Sequence, residues 1–354
     1  MGRSEAISKL MESSSWIRAM FEESEKLKGI YGPENIFDFT LGNPIAEPPK
    51  EVKDELARIA CSQATGVHRY MTNSGYEGVR SDIARYWEEN TGLPFTKEHI
   101  IMTVGAAGGL NVVFKSILDP GDEVIVPNPF FVEFMFYIGN HGGQIKLVDT
   151  TDDFHLDVEA MERAITPKTK AVLINSPHNP TGTVYSQEEL TRLAGVLERK
   201  KREGQNIYLV ADEAYRKIVY DSIVLPDIFA LYEDSIVVTC HSKDLALPGE
   251  RIGYIVVSPR MEGGESLIDA MIFANRILGF INAPAIMQRL VAKFQRTSVD
   301  INDYQAKRDR LFEILVEAGF DVIKPQGAFY IFPKSPIPDD IEFIHRLLQD
   351  SHVL

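Results

Sequence analysis

Cysteine is scarce in this sequence: two in 354 residues, Cys61 and Cys240. At most one disulfide is possible, and the pair has no metal-ligand spacing, so a disulfide scaffold and a cysteine-based metal site are both excluded. A cytoplasmic location is the resulting expectation. Long apolar runs are missing as well. Nothing reaches transmembrane length, and the N-terminus has no apolar signal core. The chain begins Met-Gly, but residue 6 is Ala where a myristoylation signal favours Ser or Thr. Dense basic runs are absent apart from Arg199-Lys200-Lys201-Arg202, and the net charge is -14. Nucleic acid and anionic membranes repel such a surface, and the basic run reads as the end of a helix, where cations suit the macrodipole. Internal repeats and low-complexity segments are also lacking.

What is present is an ordinary globular composition, 44% hydrophobic and 25% charged. At about 150 residues per domain the length predicts two or three domains. The first 30 or so residues read as a helix, with Ile7, Leu10, Met11, Trp16, Ile17, Met20 and Phe21 on one stripe. After the Gly/Pro-rich LGNPIAEPPK, helices alternate with short apolar runs. These are HIIMTVG (from His99), EVIVPN (Glu123), QIKLVDT (Gln144), AVLINS (Ala171), NIYLVADE (Asn206), IVVTCHS (Ile236) and RIGYIVVS (Arg251). Seven runs, most of them nearly continuously apolar, predict one sheet buried on both faces, an α/β domain over 45–265. From Glu265 to about Arg296 the pattern is helical, with a break near Asn282–Pro284. A helix follows over about Asp300–Gly319, and DVIKPQGAFYIFPK reads as paired strands or a strand with a turn. Residues 1–44 and 266–354 are expected to form an N-terminal arm, an interdomain helix and a smaller α+β domain built from both chain ends.

Ligands of an open parallel sheet bind beyond the carboxyl ends of its strands, so the residues after each run carry the functional reading. Gly105-Ala106-Ala107-Gly108-Gly109 opens a helix, where backbone amides can approach a phosphate. Tight packing explains such a turn equally well, and no Gly-Lys-Ser/Thr follows to make it a Walker loop. Pro177-His178-Asn179-Pro180-Thr181-Gly182 is a rigid polar turn. Asp212 ends a buried strand, which is costly for a carboxylate without a cation or donors; a structural ion pair is the plainer explanation. Lys243 also follows a strand and could be a desolvated nucleophile, although most lysines are solvated surface. Arg251 lies eight residues further on.

Taken together, TVGAAGGLN, NPFF, NSPHNPTG, DEAY and SKDLALPGERIGY resemble the class I/II aminotransferases, pyridoxal-phosphate enzymes of fold type I, from about Phe39 to Pro333. The resemblance implies a large domain with a seven-stranded, mostly parallel sheet sandwiched by helices, and a smaller domain beside it. It implies pyridoxal 5'-phosphate held by Lys243 as a Schiff base, with Lys243 later shuttling the substrate proton. Asp212 would face the pyridine nitrogen, Tyr215 and Asn179 the phenolic oxygen, and Phe131 would stack on the ring. Gly105, Ala106, Ala107 and Arg251 would hold the phosphate. Tyr70 would reach it from a neighbouring subunit, which implies a homodimer with shared sites. Gly42, Asn179 and Phe329 match substrate-site positions. His178 and His241 flank the motifs without a required role, and Trp16 and Phe21 read as packing or dimer contacts.

Two departures stand out. Cys240 replaces the usual Ser or Gly three residues before the lysine, so the phosphate is expected to lose a hydrogen bond. The family's last strand and helix, with the arginine that clamps the substrate carboxylate, would follow FIHRLLQDSHVL. The native polypeptide is therefore expected to continue past Leu354; a chain ending there would bind amino acids poorly and expose a sheet edge. The implied activity is ping-pong transfer of an amino group between an L-amino acid and a 2-oxo acid. A lyase or β-eliminase on the same scaffold, or an impaired cofactor-binding protein, are the alternatives.

Overall fold

The computed structural model describes residues 2–13, 23, 25–39 and 42–354. Each of the seven apolar runs forms a strand: β1 Ile100–Thr103, β2 Glu123–Asn128, β3 Gln144–Asp149, β4 Thr169–Asn175, β5 Tyr208–Asp212, β6 Ser235–Cys240 and β7 Gly253–Val257. They make one sheet in the order β1-β7-β6-β5-β4-β2-β3. The expected α/β architecture with a mostly parallel sheet holds. Only β7 runs against its neighbours β1 and β6. A parallel connection needs a crossover of a dozen or more residues, usually a helix. The segment 241–252 between β6 and β7 holds only a single 3-10 turn, Pro248–Glu250, so the chain returns antiparallel.

Burial on both faces explains the apolar runs. Neighbouring residues of one strand point to opposite sides and feed two separate cores. Along β4, Val172 and Ile174 enter one core while Ala171 and Leu173 enter the other. In β7 the same division separates Tyr254 and Val256 from Ile255 and Val257. Helices Glu77–Thr91, Gln187–Arg202 and Ala285–Val291 cover the first face; Gly105–Ile117 and Gly264–Ile277 cover the second. The basic run closes Gln187–Arg202, with Arg199 on Glu162 and Lys201 on Glu233 and Asp234. Among the described residues no helix is long and apolar enough to cross a membrane.

The chain divides into two compact units, one of Pro44–Glu313 with Ile323–Phe332, the other of Met1–Asn43, Ile314–Val322 and Pro333–Leu354. In the second unit Phe37 pairs with Val353 in a parallel bridge, and Leu354 N donates to Phe37 O at 2.9 Å. Helix Glu5–Ser13 carries Ile7 and Leu10 of the predicted stripe; Trp16, Ile17, Met20 and Phe21 lie outside the described residues. The helical break near 282–284 is present, with Pro284 capping Ala285–Val291. The expected pairing within DVIKPQGAFYIFPK is not. That stretch is irregular, and its only bridge joins Gly327 to Val219. Its two ends meet in one backbone bond, Lys334 N to Asp321 O at 2.8 Å, while in its middle Gln326 N and Gly327 N both donate to Gly182 O, at 2.8 and 2.9 Å.

Helix Gly105–Ile117 lies close on the sheet because Gly109 has no side chain. A Cβ there would stand 2.6 Å from Val238 Cγ1 and 3.3 Å from Thr103 Oγ1. Val238 is β-branched and stiff at χ1, so it cannot swing aside. Gly109→Ala is therefore expected to lose about 1–3 kcal/mol despite alanine's better helix propensity. Chemical denaturation checks this, and an unchanged midpoint would contradict the close approach.

Candidate active site

Strand direction gathers the candidate segments. β4, β5 and β6 run parallel and β1 shares their sense, because it is antiparallel to the same β7. Their carboxyl ends therefore lie on one edge, and β7 starts there. The turn at Gly105, the loop 176–182, the segment 212–215, the loop 241–244 and Arg251 all fall on that edge.

Asp212 closes β5 and is buried. Its carboxylate accepts from Ala214 N at 3.1 Å, while its carbonyl accepts from Asn175 Nδ2 at 2.9 Å. Burial pushes the carboxyl up to about 7, against the pull of that N–H and of the Lys243 charge. Burial also draws the Lys243 ammonium below its ordinary value. Lys243 Nζ stands 5.2 Å from the Phe329 ring centre and 5.7 Å from that of Tyr215. Tyr215 is buried, its phenol raised by desolvation, and its hydroxyl meets that of Tyr330 at 2.5 Å.

A glycine-lined turn beside the Arg251 guanidinium opens helix Gly105–Ile117. Gly105 has φ 69°, and a Cβ on it would meet the Arg251 guanidinium at 2.6 Å. Gly253 is equally tight, since a Cβ there would stand 2.9 Å from the Gly105 carbonyl carbon. Arg251, itself at φ 51°, donates to Pro248 O at 2.9 Å. Ala106 and Ala107 follow in the first turn, whose amides have no intrahelical partner.

Asn179 sits on a turn tied back by its own N–H to Asn175 Oδ1 at 2.7 Å. Phe131 packs edge-on against Phe134, ring centres 5.5 Å apart. Phe329 stands 5.4 Å from the Tyr215 ring and stacks on Tyr304. Tyr70 is 88% exposed on the single chain, and Gly42 belongs to the other compact unit.

The family described as Aminotransferase class I and II matches residues 34–354. The chain belongs to that family. It is an aminotransferase, and the family uses pyridoxal phosphate. A probable aspartate aminotransferase of Methanocaldococcus jannaschii is 33% identical over 317 residues, 88% of this chain and 82% of that protein. The crystal structure of an amino transferase from Eubacterium rectale is similar with TM-score 0.94 and 36% identity, covering 100% of this chain and 90% of the other. The aspartate aminotransferase of Thermus thermophilus with maleate gives TM-score 0.82 and 30% identity, over 95% and 87%.

The two histidines of this aminotransferase that flank the motifs are structural in their contacts. His178 is buried, held by Thr181 Oγ1 at 2.9 Å, and desolvation lowers it to about 4. His241 shares the Asp244 carboxylate, 3.1 Å away, with Lys217 Nζ at 2.7 Å. Lys217 follows DEAY and Asp244 follows Lys243, so this buried ion pair joins the two loops that carry Tyr215 and Lys243. Sequence reading passed over Lys217, Asp244 and Tyr330. For Tyr330 one signal existed, its place next to Phe329.

Asp212 has a consequence for stability. A carboxyl whose folded value near 7 exceeds its ordinary 3.8 binds its proton more tightly folded than unfolded. Its contribution is present below the ordinary value and is lost as pH rises through the folded one. In cofactor-free protein, Asp212→Asn should therefore raise stability at pH 8 by roughly 1–3 kcal/mol, with the gain shrinking toward pH 4. Melting curves across this range test it; a gain independent of pH would contradict the assignment.

Proposed function

We propose that this aminotransferase binds pyridoxal phosphate at the sheet edge through Lys243 and transfers an amino group from an L-amino acid to a 2-oxo acid by a ping-pong mechanism. One observation carries the reading: a buried carboxylate held near neutrality, a desolvated amine and a glycine-lined cradle with an arginine share one edge. These fit a group with a ring nitrogen, a carbonyl and a phosphate. Asp212 would pair with the ring nitrogen, which compensates the burial of its charge. Arg251 and the amides of Gly105, Ala106 and Ala107 would hold the phosphate. Phe131 would pack on the ring, and Asn179 and Tyr215 would donate to its phenolic oxygen. Bound there, the cofactor supplies an electron sink for the carbanion of the amino acid.

Lys243 Nζ takes and returns the proton at the substrate Cα. Desolvation lowers its affinity for a proton, so more of it is a free base near neutral pH. Phe329 would close the substrate side. The exposed Tyr70 supports a homodimer in which it reaches the partner's phosphate site. The relatives described as aspartate aminotransferases, one of them with maleate, favour a dicarboxylic amino donor.

A panel of amino donors offered with 2-oxoglutarate tests this reading, aspartate first. Oxo acid and glutamate should form in equal amounts; pyruvate with ammonia would instead mean elimination. Lys243→Ala should abolish the visible absorption band of the holoenzyme and lower turnover by about 10²–10⁴-fold or more. A band surviving that substitution would rule out attachment at Lys243.

A further inference from the structure

Tyr330 follows a stretch tied to its surroundings by backbone hydrogen bonds. It lies on the segment Ile323–Phe332, in the same compact unit as Tyr215. Besides the two bonds to Gly182, Ala328 N donates to Ile218 O at 2.9 Å, and Val184 N donates to Gln326 Oε1 at 3.0 Å. Ala328 is fully buried at φ 56°. Gly327 leaves no room for a Cβ, which would meet Pro177 Cβ at 2.7 Å and Ile218 O at 2.8 Å. The segment thus spans the 176–182 turn and the loop after Tyr215. It sets the Tyr330 ring edge-on to that of Tyr215, centres 5.6 Å apart, with the hydroxyls in contact.

A phenol has one proton to give and two lone pairs to receive. One proton must lie between the two oxygens. Were it the Tyr215 proton, Tyr215 would have none left for a third group. Were it the Tyr330 proton, Tyr215 would be free to donate onward, and more strongly for having accepted. An anionic oxygen on the far side of Tyr215 selects the second arrangement, because a charge-assisted hydrogen bond exceeds a neutral one.

We propose that Tyr330 is a positioning residue for amino transfer: its hydroxyl donates to Tyr215 and turns the Tyr215 proton toward the phenolic oxygen of the cofactor. This rests on the reading of Tyr215 given above. A donor on that oxygen holds its negative charge and weakens its grip on the proton of the adjacent Lys243 nitrogen. Losing or weakening the donor raises the pH at which that proton leaves.

Titrating the visible band of the holoenzyme reads this directly, for the parent, Tyr330→Phe, Tyr215→Phe and the double variant, with cofactor affinity by dialysis and melting temperature alongside. Tyr330→Phe should raise the midpoint by about half a unit to one unit with melting little changed. Tyr215→Phe should raise it further, and the double variant should match Tyr215→Phe. The proposal is overturned if Tyr330→Phe leaves the midpoint in place while Tyr215→Phe moves it. It is equally overturned if Tyr330→Phe shifts the midpoint as much without Tyr215 as with it. A band that titrates identically in Tyr215→Phe and the parent removes the reading of Tyr215 and this inference with it, while attachment at Lys243 stands.

Discussion

A carboxylate buried at the end of a central strand is the constraint around which this edge of the sheet is arranged. Asp212 has few internal donors for its charge, Ala214 N among them, and its raised proton affinity measures the shortfall. Its immediate neighbour repeats the problem: Glu213 is buried and pushed up to about 7 as well. Glu213, however, has a partner inside the protein, Arg216 at 3.0 Å, whose guanidinium lies 4.1 Å from the Trp87 ring. Glu213 lies one residue beyond β5 with Arg216 beside it, whereas for Asp212 the pull of the Lys243 charge and of Ala214 N does not outweigh burial.

The loops that carry Tyr215 and Lys243 depend on a second buried charge pair. Asp244 is an anion fixed between His241 and Lys217, and these partners outweigh its burial to hold the carboxyl below its ordinary value. Val299 N donates to Asp244 O at 2.7 Å, and Lys217 Nζ to Thr297 O at 3.1 Å. The loop after β6 is therefore pinned by side chain and backbone together. Breaking one partner of such a pair strands the other, which makes the geometry costly to disturb.

Much of the scaffold was legible because its causes are local. Strands buried on both faces need continuous apolar residues, and six of the seven fit that trace; the edge strand β3 is largely exposed. The gathering of Gly105, Asn179, Asp212 and Lys243 on one edge followed from strand direction, whereas Arg251 joins them because β7 runs the other way. The direction of β7 was not legible, since it depends on how short a connection can be closed. Nor was the fate of 321–334, which read as paired strands or a strand with a turn but whose middle donates to Gly182 and Ile218. The Tyr330–Tyr215 contact and the Lys217–Asp244 pair were not legible for a related reason: each joins segments far apart in sequence, and nothing in either segment names its partner. The resemblance of the motifs carried roles that no single residue could, and the match over 34–354 placed the chain in that family.

The division of the sheet's side chains between two cores gives the two layers separate histories. The layer holding Ala106, Leu110 and Val113 is continuous with the turn at Gly105. The layer holding Trp87, Phe95 and Tyr185 meets it through the strands and through Leu245, Leu247 and Ile252 of the segment between β6 and β7. Substitutions accumulating in the second layer can repack among themselves without displacing the helix that begins at Gly105. Sequence drift in this lineage should accordingly be lopsided, fast behind the sheet and slow in front of it, within strands whose neighbouring residues evolve at different rates.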